Sequence, residues 1–508
     1  MDTINLRCET DQVFSAPDQR GSPACRKFDN SLQDKTSLPL CVDLDGTLVR
    51  SDMLFEGLLA LAANRSLYRA LFCLWTGNRA SFKRDIAASA AIDPSLLPYN
   101  EAVLTFLREQ RALGRRLILV TAADSSIAEA IAAHLGLFEE VIASDGARNL
   151  KGPQKAEVLL ERFGKNGFSY MGDSRADLCV WQFAGSGIVV NASGSTVAAA
   201  RRLTHIEATF DRRPALHGLV QAMRPHQWVK NLLVFVPLFV SGAELTLTAF
   251  ITAVLAFSAF CCTASGIYLL NDFADLNADR RHCRKRTRPF ASGTLPLKVG
   301  MAAAPMLIAI GAVLGQLAHI LPIIAVYCAV SVTYSMKLKE SPLVDVFMLA
   351  ALYSLRLVGG GEATDHRVSL WLLAFSSFLF LSLALVKRVG ELEATSVNGG
   401  DQIGRRGYQP TDTIILQMFG CGCSVASSLV LALFIQSEAT AEHYASPILL
   451  WALVPLALFW QCRIWLSTAR GYMDDDPIVY AARDWVSWLV ASVAVTVVIV
   501  ARSLHVVG

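Results

Sequence analysis

NDFADLNADRRHCRKRTRPFASG, residues 271–293, follows directly on a long apolar run, and its reading governs the rest of the chain. Asp272, Asp275 and Asp279 are spaced three and four apart, so on a helix they share one face. Three carboxylates at a membrane surface repel one another unless a cation neutralises them. Oxygen ligands around Mg²⁺, completed by substrate phosphates, are the usual solution. Behind them Arg280, Arg281, Arg284, Lys285, Arg286 and Arg288 supply anion-binding charge. An acidic metal cradle with a basic rim on a membrane helix points to a site that handles a diphosphate at the lipid interface.

The chain has 508 residues, 53% of them hydrophobic, and a mean hydropathy of +0.41. That is too apolar for a wholly soluble protein and long enough for more than one domain. Up to about residue 220 short apolar runs alternate with charged ones, whereas from Val229 onward charges are confined to a few loops. The expected division is a polar tail over 1–36, a soluble domain over 37–200, a linker over 201–224 and a helical membrane domain over 225–508. A net charge of +3 gives no nucleic-acid footprint. The twelve cysteines form no CxxC pair and read as small apolar filler. The N-terminus lacks a basic-then-apolar leader, which places the first domain in the cytoplasm.

Nine apolar segments are expected to be membrane helices: 229–243, 247–270, 299–317, 320–336, 343–360, 369–386, 413–436, 446–463 and 485–503. Each is near the ~20 residues needed to cross hydrocarbon, although the first is short. With the N-terminus inside, connections 271–298, 337–342, 387–412 and 464–484 are cytoplasmic and carry most of the Lys and Arg, in accord with the positive-inside rule.

In the soluble part, strand signals at Leu38–Leu44, Arg116–Val120, Glu140–Ala143, Phe168–Met171 and Gly187–Val190 alternate with helical stretches. That pattern predicts an α/β domain with a parallel sheet, binding ligands at the carboxyl ends of its strands. Four motifs fall at such ends: DLDGT with Asp43, Asp45 and Thr47; LVTAADS with Thr121; KGPQK with Lys155 opening a helix; and MGDSRADL with Asp173 and Asp177. This set, in this order, resembles the phosphatase branch of the haloacid dehalogenase superfamily, with a Rossmann-like fold. The resemblance implies that Asp43 attacks phosphorus and that Asp45 acts as general acid, then base. It also implies that Mg²⁺ is held by Asp43, Asp45 (through its carbonyl) and Asp173, and that Thr121 and Lys155 hold phosphoryl oxygens. Asp177 is open between positioning Lys155 or a metal water and a purely structural role. Lys151 competes with Lys155 and is set aside because Lys155 opens a clear helix. Residues 52–110 read as a helical cap, whose apolar run Leu71–Trp75 is either core or a lipid contact.

The membrane part opens on MRPHQWVKNLLVFVPLF, with Trp228 suited to an interface anchor and Lys230 and Asn231 where the chain enters lipid. With NDFADLNAD this resembles the UbiA-type intramembrane prenyltransferases. RTRPFASGTLP, YSMKLKESPLVDV, and KRVGELEA ahead of GRRGY bring it nearest to the decaprenyl-phosphate phosphoribosyltransferases. Where that superfamily carries a second aspartate-rich motif, this chain has Lys387, Arg388, Glu391 and Glu393, then Arg405, Arg406 and Tyr408. A mixed loop of this kind fits an acceptor that is itself an anion, such as a polyprenyl phosphate. The implied reaction is transfer of phosphoribosyl from phosphoribosyl pyrophosphate, with Mg²⁺ on Asn271, Asp272, Asp275 and Asp279. Lys230, Arg286, Arg288, Lys337, Lys387, Arg388, Glu391 and Arg405 are candidate substrate contacts. Asp345 and Arg356, about three turns apart, either line the pocket or pair with other helices.

Together the two resemblances imply a bifunctional membrane enzyme that makes polyprenyl-phosphoryl 5-phosphoribose and then removes its 5-phosphate, supplying lipid-linked arabinose. The expected setting is the bacterial plasma membrane, with membrane lipids as partners and a homo-oligomer left open. The linker arginines Arg201, Arg202, Arg212, Arg213 and Arg224 would lie against anionic lipid. Two other readings stand beside it: an aromatic prenyltransferase of quinone synthesis, and a membrane-anchored phosphatase whose helices only present a polyprenyl phosphate.

Overall fold

The computed structural model describes residues 38–63, 92–145, 149–211, 214–240, 246–283, 285–366, 368–397, 407–437, 440, 444–473 and 476–503. The middle of the expected cap, residues 64–91 including Leu71–Trp75, and the expected site residue Arg405 lie outside them.

The soluble domain is built on six parallel strands: β1 Leu40–Val42, β2 Leu117–Asp124, β3 Glu140–Ser144, β4 Ser169–Gly172, β5 Ser186–Val190 and β6 Ile206–Phe210. Their order is β3-β2-β1-β4-β5-β6. Successive residues face opposite sides. Leu40, Val42, Leu117 and Leu119 enter one core, with Val103, Leu107 and Ile131. Cys41, Ile118 and Val120 enter the other, with Leu159, Tyr170 and Trp181. Both faces are therefore buried, which explains strands that are apolar throughout. The chain builds outward from β1 through β2 and β3, then returns to β4. The switch point falls between β1 and β4, where a ligand cleft is expected.

Two expected boundaries move. The span 201–224 is not a plain linker, because it contributes β6, which pairs with β5, and a helix over Ala215–Met223. Buried Arg115 ties β6 in place by donating to Glu207 at 2.9 and 3.1 Å and to Ser169 Oγ at 2.5 Å. The stretch 101–110, expected within the cap, belongs to the helix Glu101–Ala112, whose Val103, Leu104, Phe106 and Leu107 pack on the sheet.

The C-terminal part is all helical. Seven helices among the described residues are long and apolar enough to cross a membrane: Leu247–Ala274, Leu297–Leu317, Val344–Ala363, Leu370–Glu393, Pro410–Ile435, Pro447–Ala469 and Trp485–Ser503. The expected span 320–336 is a shorter apolar helix, Leu321–Met336. The expected span 229–243 is a 3₁₀ stretch, Pro225–Phe235, continuing into the short helix Val236–Val240. The count of nine thus resolves into seven full-length spans and two shorter pieces.

The two domains touch. Phe55 and Leu59, on the helix Met53–Ala63, pack against Phe273, Leu276, Phe290 and Leu295 of the membrane domain. Glu56 on that helix receives Arg280 at 2.9 and 2.7 Å, both side chains buried.

Candidate active sites

At the carboxyl end of β1 the chain turns sharply through Asp43–Gly46. Gly46 has φ +77°, and a Cβ there would lie 2.2 Å from Asp173 Oδ2. Only glycine lets this turn approach the carboxylate delivered by the end of β4. Asn191 clamps the turn from β5, donating to the Gly46 carbonyl at 2.8 Å.

Lys155, on the helix Pro153–Phe163, is 4% exposed and donates to Asp43 Oδ1 at 2.8 Å. It also donates to the Tyr170 hydroxyl at 2.9 Å, which donates to Asp177 at 2.8 Å. Asp177 further accepts from the amide and hydroxyl of Ser174 at 2.9 and 2.8 Å. So Asp177 both caps its own turn and, through Tyr170, holds the lysine. Tyr170 was not singled out in the sequence; its only signal is a place in β4 two residues before Gly172. Lys151 is exposed at the rim of the cavity. Thr121, fully buried in β2, accepts from the Ala123 amide at 3.0 Å.

Burial lifts the Asp43 carboxyl to about 6 despite the neighbouring Lys155. Burial and then the Asp52 charge lift Asp45, which accepts from the Met53 amide at 2.9 Å, to about 7. Burial, with Asp177 and Asp43 beside it, pushes Asp173 to about 8. Burial opposes the charge on Lys155, but Asp43 and Asp177 more than offset it and raise its pKa. Crowded carboxylates held this high are short of positive charge. Asp43, Asp173 and Asp177 each bring a ligand oxygen within 4.8 Å of the others. This all-oxygen donor set fits a hard cation such as Mg²⁺. The residues line a cavity of about 1050 Å³, closed on one side by Gly293, Thr294, Pro296, Leu297 and Lys298 of the membrane domain.

The second constellation lies at the end of the helix Leu247–Ala274. That helix stops at Ala274 and Asp275 caps it, so the three aspartates do not lie on one continuous helix as expected. Asp272 and Asp279, both buried, still converge: one nitrogen of Arg288 reaches them at 3.3 and 2.6 Å. Arg224 reaches Asp272 at 2.5 Å, instead of facing lipid as a linker residue. Asp275 is turned away toward Lys339 at 3.5 Å. Two carboxylates that share one guanidinium nitrogen can share a metal ion; half-buried Asn271 directly precedes the first of them in the chain. Asp275 is not gathered with that pair. Arg286 and Lys337 are exposed.

The remaining expected contacts form three groups, buried or half-buried. Lys230 and Lys387 both donate to Asp476 Oδ2, at 2.6 and 3.1 Å, and Tyr353 donates to the same carboxylate at 3.2 Å. Arg356 donates to Asn231 at 2.7 Å and to the Tyr327 hydroxyl at 2.8 Å. Arg388 pairs with Asp345 at 2.7 Å and with Glu391, while Tyr408 donates to Asp345 at 2.5 Å. Asp345 and Arg356 are thus partners of other helices and not of each other. Asp476 and Lys339 were not anticipated; the acidic run before Pro477 was the available signal for the former. Trp228 donates to Ser265 at 3.1 Å, a helix-to-helix bond.

The family model for the UbiA prenyltransferase family matches residues 232–472, and that for the haloacid dehalogenase-like hydrolases matches residues 40–181. An uncharacterized protein of Sinorhizobium fredii is 37% identical over 473 residues, 91% of each chain. Nodulation protein NoeC of Azorhizobium caulinodans is 38% identical over 269 residues, 52% of this chain and 86% of that one. The decaprenyl-phosphate phosphoribosyltransferase of Corynebacterium glutamicum is 36% identical over 198 residues, 37% of this chain and 60% of that one. With two clusters of carboxylates and cations on two packed domains, the chain carries a UbiA prenyltransferase domain in its C-terminal half and a haloacid dehalogenase-like hydrolase domain ahead of its membrane helices.

Proposed function

We propose that the chain catalyses two consecutive steps on one lipid. The membrane domain transfers 5-phosphoribosyl from phosphoribosyl pyrophosphate to a polyprenyl phosphate of the decaprenyl type. The hydrolase domain then removes the 5-phosphate, leaving polyprenyl-phosphoryl ribose, a precursor of lipid-linked arabinose. The observation that carries this reading is the packing of the two sites. The helix that follows the DLDGT turn lies on an apolar cluster that includes Phe273 and Leu276, which fall between Asp272 and Asp279 in the chain. Similarity to the decaprenyl-phosphate phosphoribosyltransferases supports the choice of donor and acceptor. The setting we propose is the bacterial plasma membrane, with the hydrolase domain on the cytoplasmic side.

In the transfer, the bond from ribose carbon 1 to pyrophosphate breaks as an oxygen of the lipid phosphate bonds to that carbon. The attacking oxygen is already anionic, so no general base is required. Mg²⁺ held by Asp272 and Asp279, with Asn271, would supply charge for the departing pyrophosphate. Arg288 and Arg224 add positive charge at the same carboxylates. Lys230, Lys387, Arg356 and Arg388 are the cations we assign to substrate anions, with Asp345 and Glu391 positioning Arg388. Arg286, Lys337 and Arg405 remain proposed outer contacts.

In the hydrolysis, an Asp43 oxygen bonds to phosphorus and the bond to ribose oxygen 5 breaks. Asp45 gives its proton to that oxygen. Held near 7, it keeps a large protonated fraction at neutral pH. Water then attacks the phosphoaspartate, Asp45 takes the proton, and phosphate leaves. Lys155 and the Thr121 hydroxyl hold phosphoryl oxygens. A divalent cation held by Asp43, Asp173 and the Asp45 carbonyl would offset the repulsion between carboxylate and phosphate.

Membranes given labelled phosphoribosyl pyrophosphate and decaprenyl phosphate test this after lipid extraction. Wild type yields a ribosyl lipid without the 5-phosphate, Asp43→Asn accumulates the 5-phosphorylated lipid, and Asp272→Asn yields neither. Undiminished labelling by Asp272→Asn would favour an anchored phosphatase instead.

A further inference from the structure

The cavity above Asp43 is not a property of the hydrolase domain alone. Gly293, Thr294, Pro296, Leu297 and Lys298 line it from the membrane domain. The approach is close: Gly293 has φ +68°, and a Cβ there would lie 2.6 Å from the Arg50 Cβ and 3.1 Å from the Pro98 Cβ. Lys298 crosses the boundary to pair with Asp52 at 2.7 Å. Its ammonium also lies 5.2 Å from the centre of the Phe55 ring. The buried pair of Arg280, on the helix Leu276–Arg281, with Glu56 also joins the two domains.

At about 1050 Å³ the cavity far exceeds a phosphoryl group and reaches the upper end of small-molecule sites. Its floor, with Asp43, Asp45 and Lys155, suits a phosphate monoester. Beyond that floor the lining combines the apolar surfaces of Phe55, Pro296 and Leu297 with the cations Arg50, Lys151 and Lys298 and the carboxylates Asp52, Asp124 and Asp211. A neutral alcohol leaving group would need no such charge. Lys298 keeps 60% of its side chain exposed, and an ion pair that open is weak enough for its ammonium to turn to a competing anion.

We infer that the segment Gly293–Lys298 completes the hydrolase site and that Lys298 is a specificity-determining residue, binding a second phosphate on the substrate beyond the monoester that is cleaved. The substrate class is a sugar with a monoester at one end and a phosphodiester to a lipid at the other. This rests on the two-step reading, which supplies such a molecule from the neighbouring site. A free sugar carrying a second phosphate shares the recognition chemistry, so the test separates the two sources.

The full-length protein in nanodiscs is assayed for phosphate release from polyprenyl-phosphoryl 5-phosphoribose, phosphoribosyl pyrophosphate and p-nitrophenyl phosphate. Lys298→Glu is expected to lower kcat/KM for the lipid about tenfold, mainly through KM, and to leave p-nitrophenyl phosphate within about twofold. Lys298→Arg is expected to retain lipid turnover. Equal loss on all substrates would make Lys298 merely structural and overturn the assignment, as would no loss on the lipid. Faster wild-type turnover of phosphoribosyl pyrophosphate than of the lipid would overturn the lipid-linked class. If wild type hydrolyses p-nitrophenyl phosphate but never the lipid, the two-step reading itself falls and takes this inference with it. Transfer of label from phosphoribosyl pyrophosphate to lipid, read in the same preparation, confirms that Lys298→Glu is folded.

Discussion

At the scale of single residues, the hydrolase site is a chain of charge running from Asp43 through Lys155 and Tyr170 to Asp177. Tyr170→Phe removes the hydroxyl that links lysine to carboxylate inside the core. We expect a stability loss of about 1–3 kcal/mol and roughly tenfold slower phosphate release, measured by thermal melting and by phosphate assay. The carboxyls of Asp45 and Asp173, held at about 7 and 8, lie well above the ~3.9 of an unfolded aspartate. The folded domain therefore keeps protons that the unfolded chain has released. Stability from these groups is fullest below about pH 4 and falls as pH rises through 7 and 8. A bound cation cancels that loss, so Mg²⁺ should raise the melting temperature of the hydrolase domain more at pH 8 than at pH 5.5. Equal shifts at the two pH values would contradict the account. Asp43, Asp45, Lys155 and Asp173 were legible because each sits at a fixed place after a strand. Asp476 and Lys339 were not, because their partners lie 64 to 246 residues away in sequence, and Tyr170 was not, because a tyrosine inside a buried strand reads as core until Lys155 and Asp177 are seen on its hydroxyl.

At the scale of elements, the helix Met53–Ala63 joins the two domains. Its Glu56 and the Arg280 of the helix Leu276–Arg281 form a buried bidentate pair. Removing one partner of a buried pair leaves an uncompensated charge, at a cost of about 3–5 kcal/mol. Glu56→Gln should therefore loosen the docking, seen as an earlier melting transition. Adding Arg280→Gln should cost much less than the sum of the two single changes. Additive small effects would mean that the pair does not hold the domains together. Element types were largely readable, since apolar strands and long apolar helices announce themselves. β6 escaped because IEATF is a half-exposed edge strand placed between arginine-rich stretches. The break at Asp275 escaped because three-four spacing describes a helix face equally well whether the helix runs on or restarts.

At the scale of the whole molecule, the architecture of a soluble α/β domain before a helical membrane domain follows from the shift in hydropathy near residue 229. What the pattern could not reveal is that the membrane domain supplies a wall of the hydrolase cavity. That contact depends on how two folded bodies meet, and no periodicity records it. Under the proposed two-step reaction its consequence is kinetic: a lipid product released at one site would find the second at high effective concentration. Dilution of the purified protein should then leave the ratio of phosphorylated to dephosphorylated lipid unchanged at early times. The most direct measurement of the central claim is the product balance of the purified full-length chain supplied with Mg²⁺, labelled phosphoribosyl pyrophosphate and decaprenyl phosphate. The account predicts a 5-phosphorylated ribosyl lipid first, then its dephosphorylated form, with pyrophosphate and phosphate released in equal amounts at completion. Unlabelled lipid, or a ribosyl lipid that keeps its phosphate indefinitely, would contradict it.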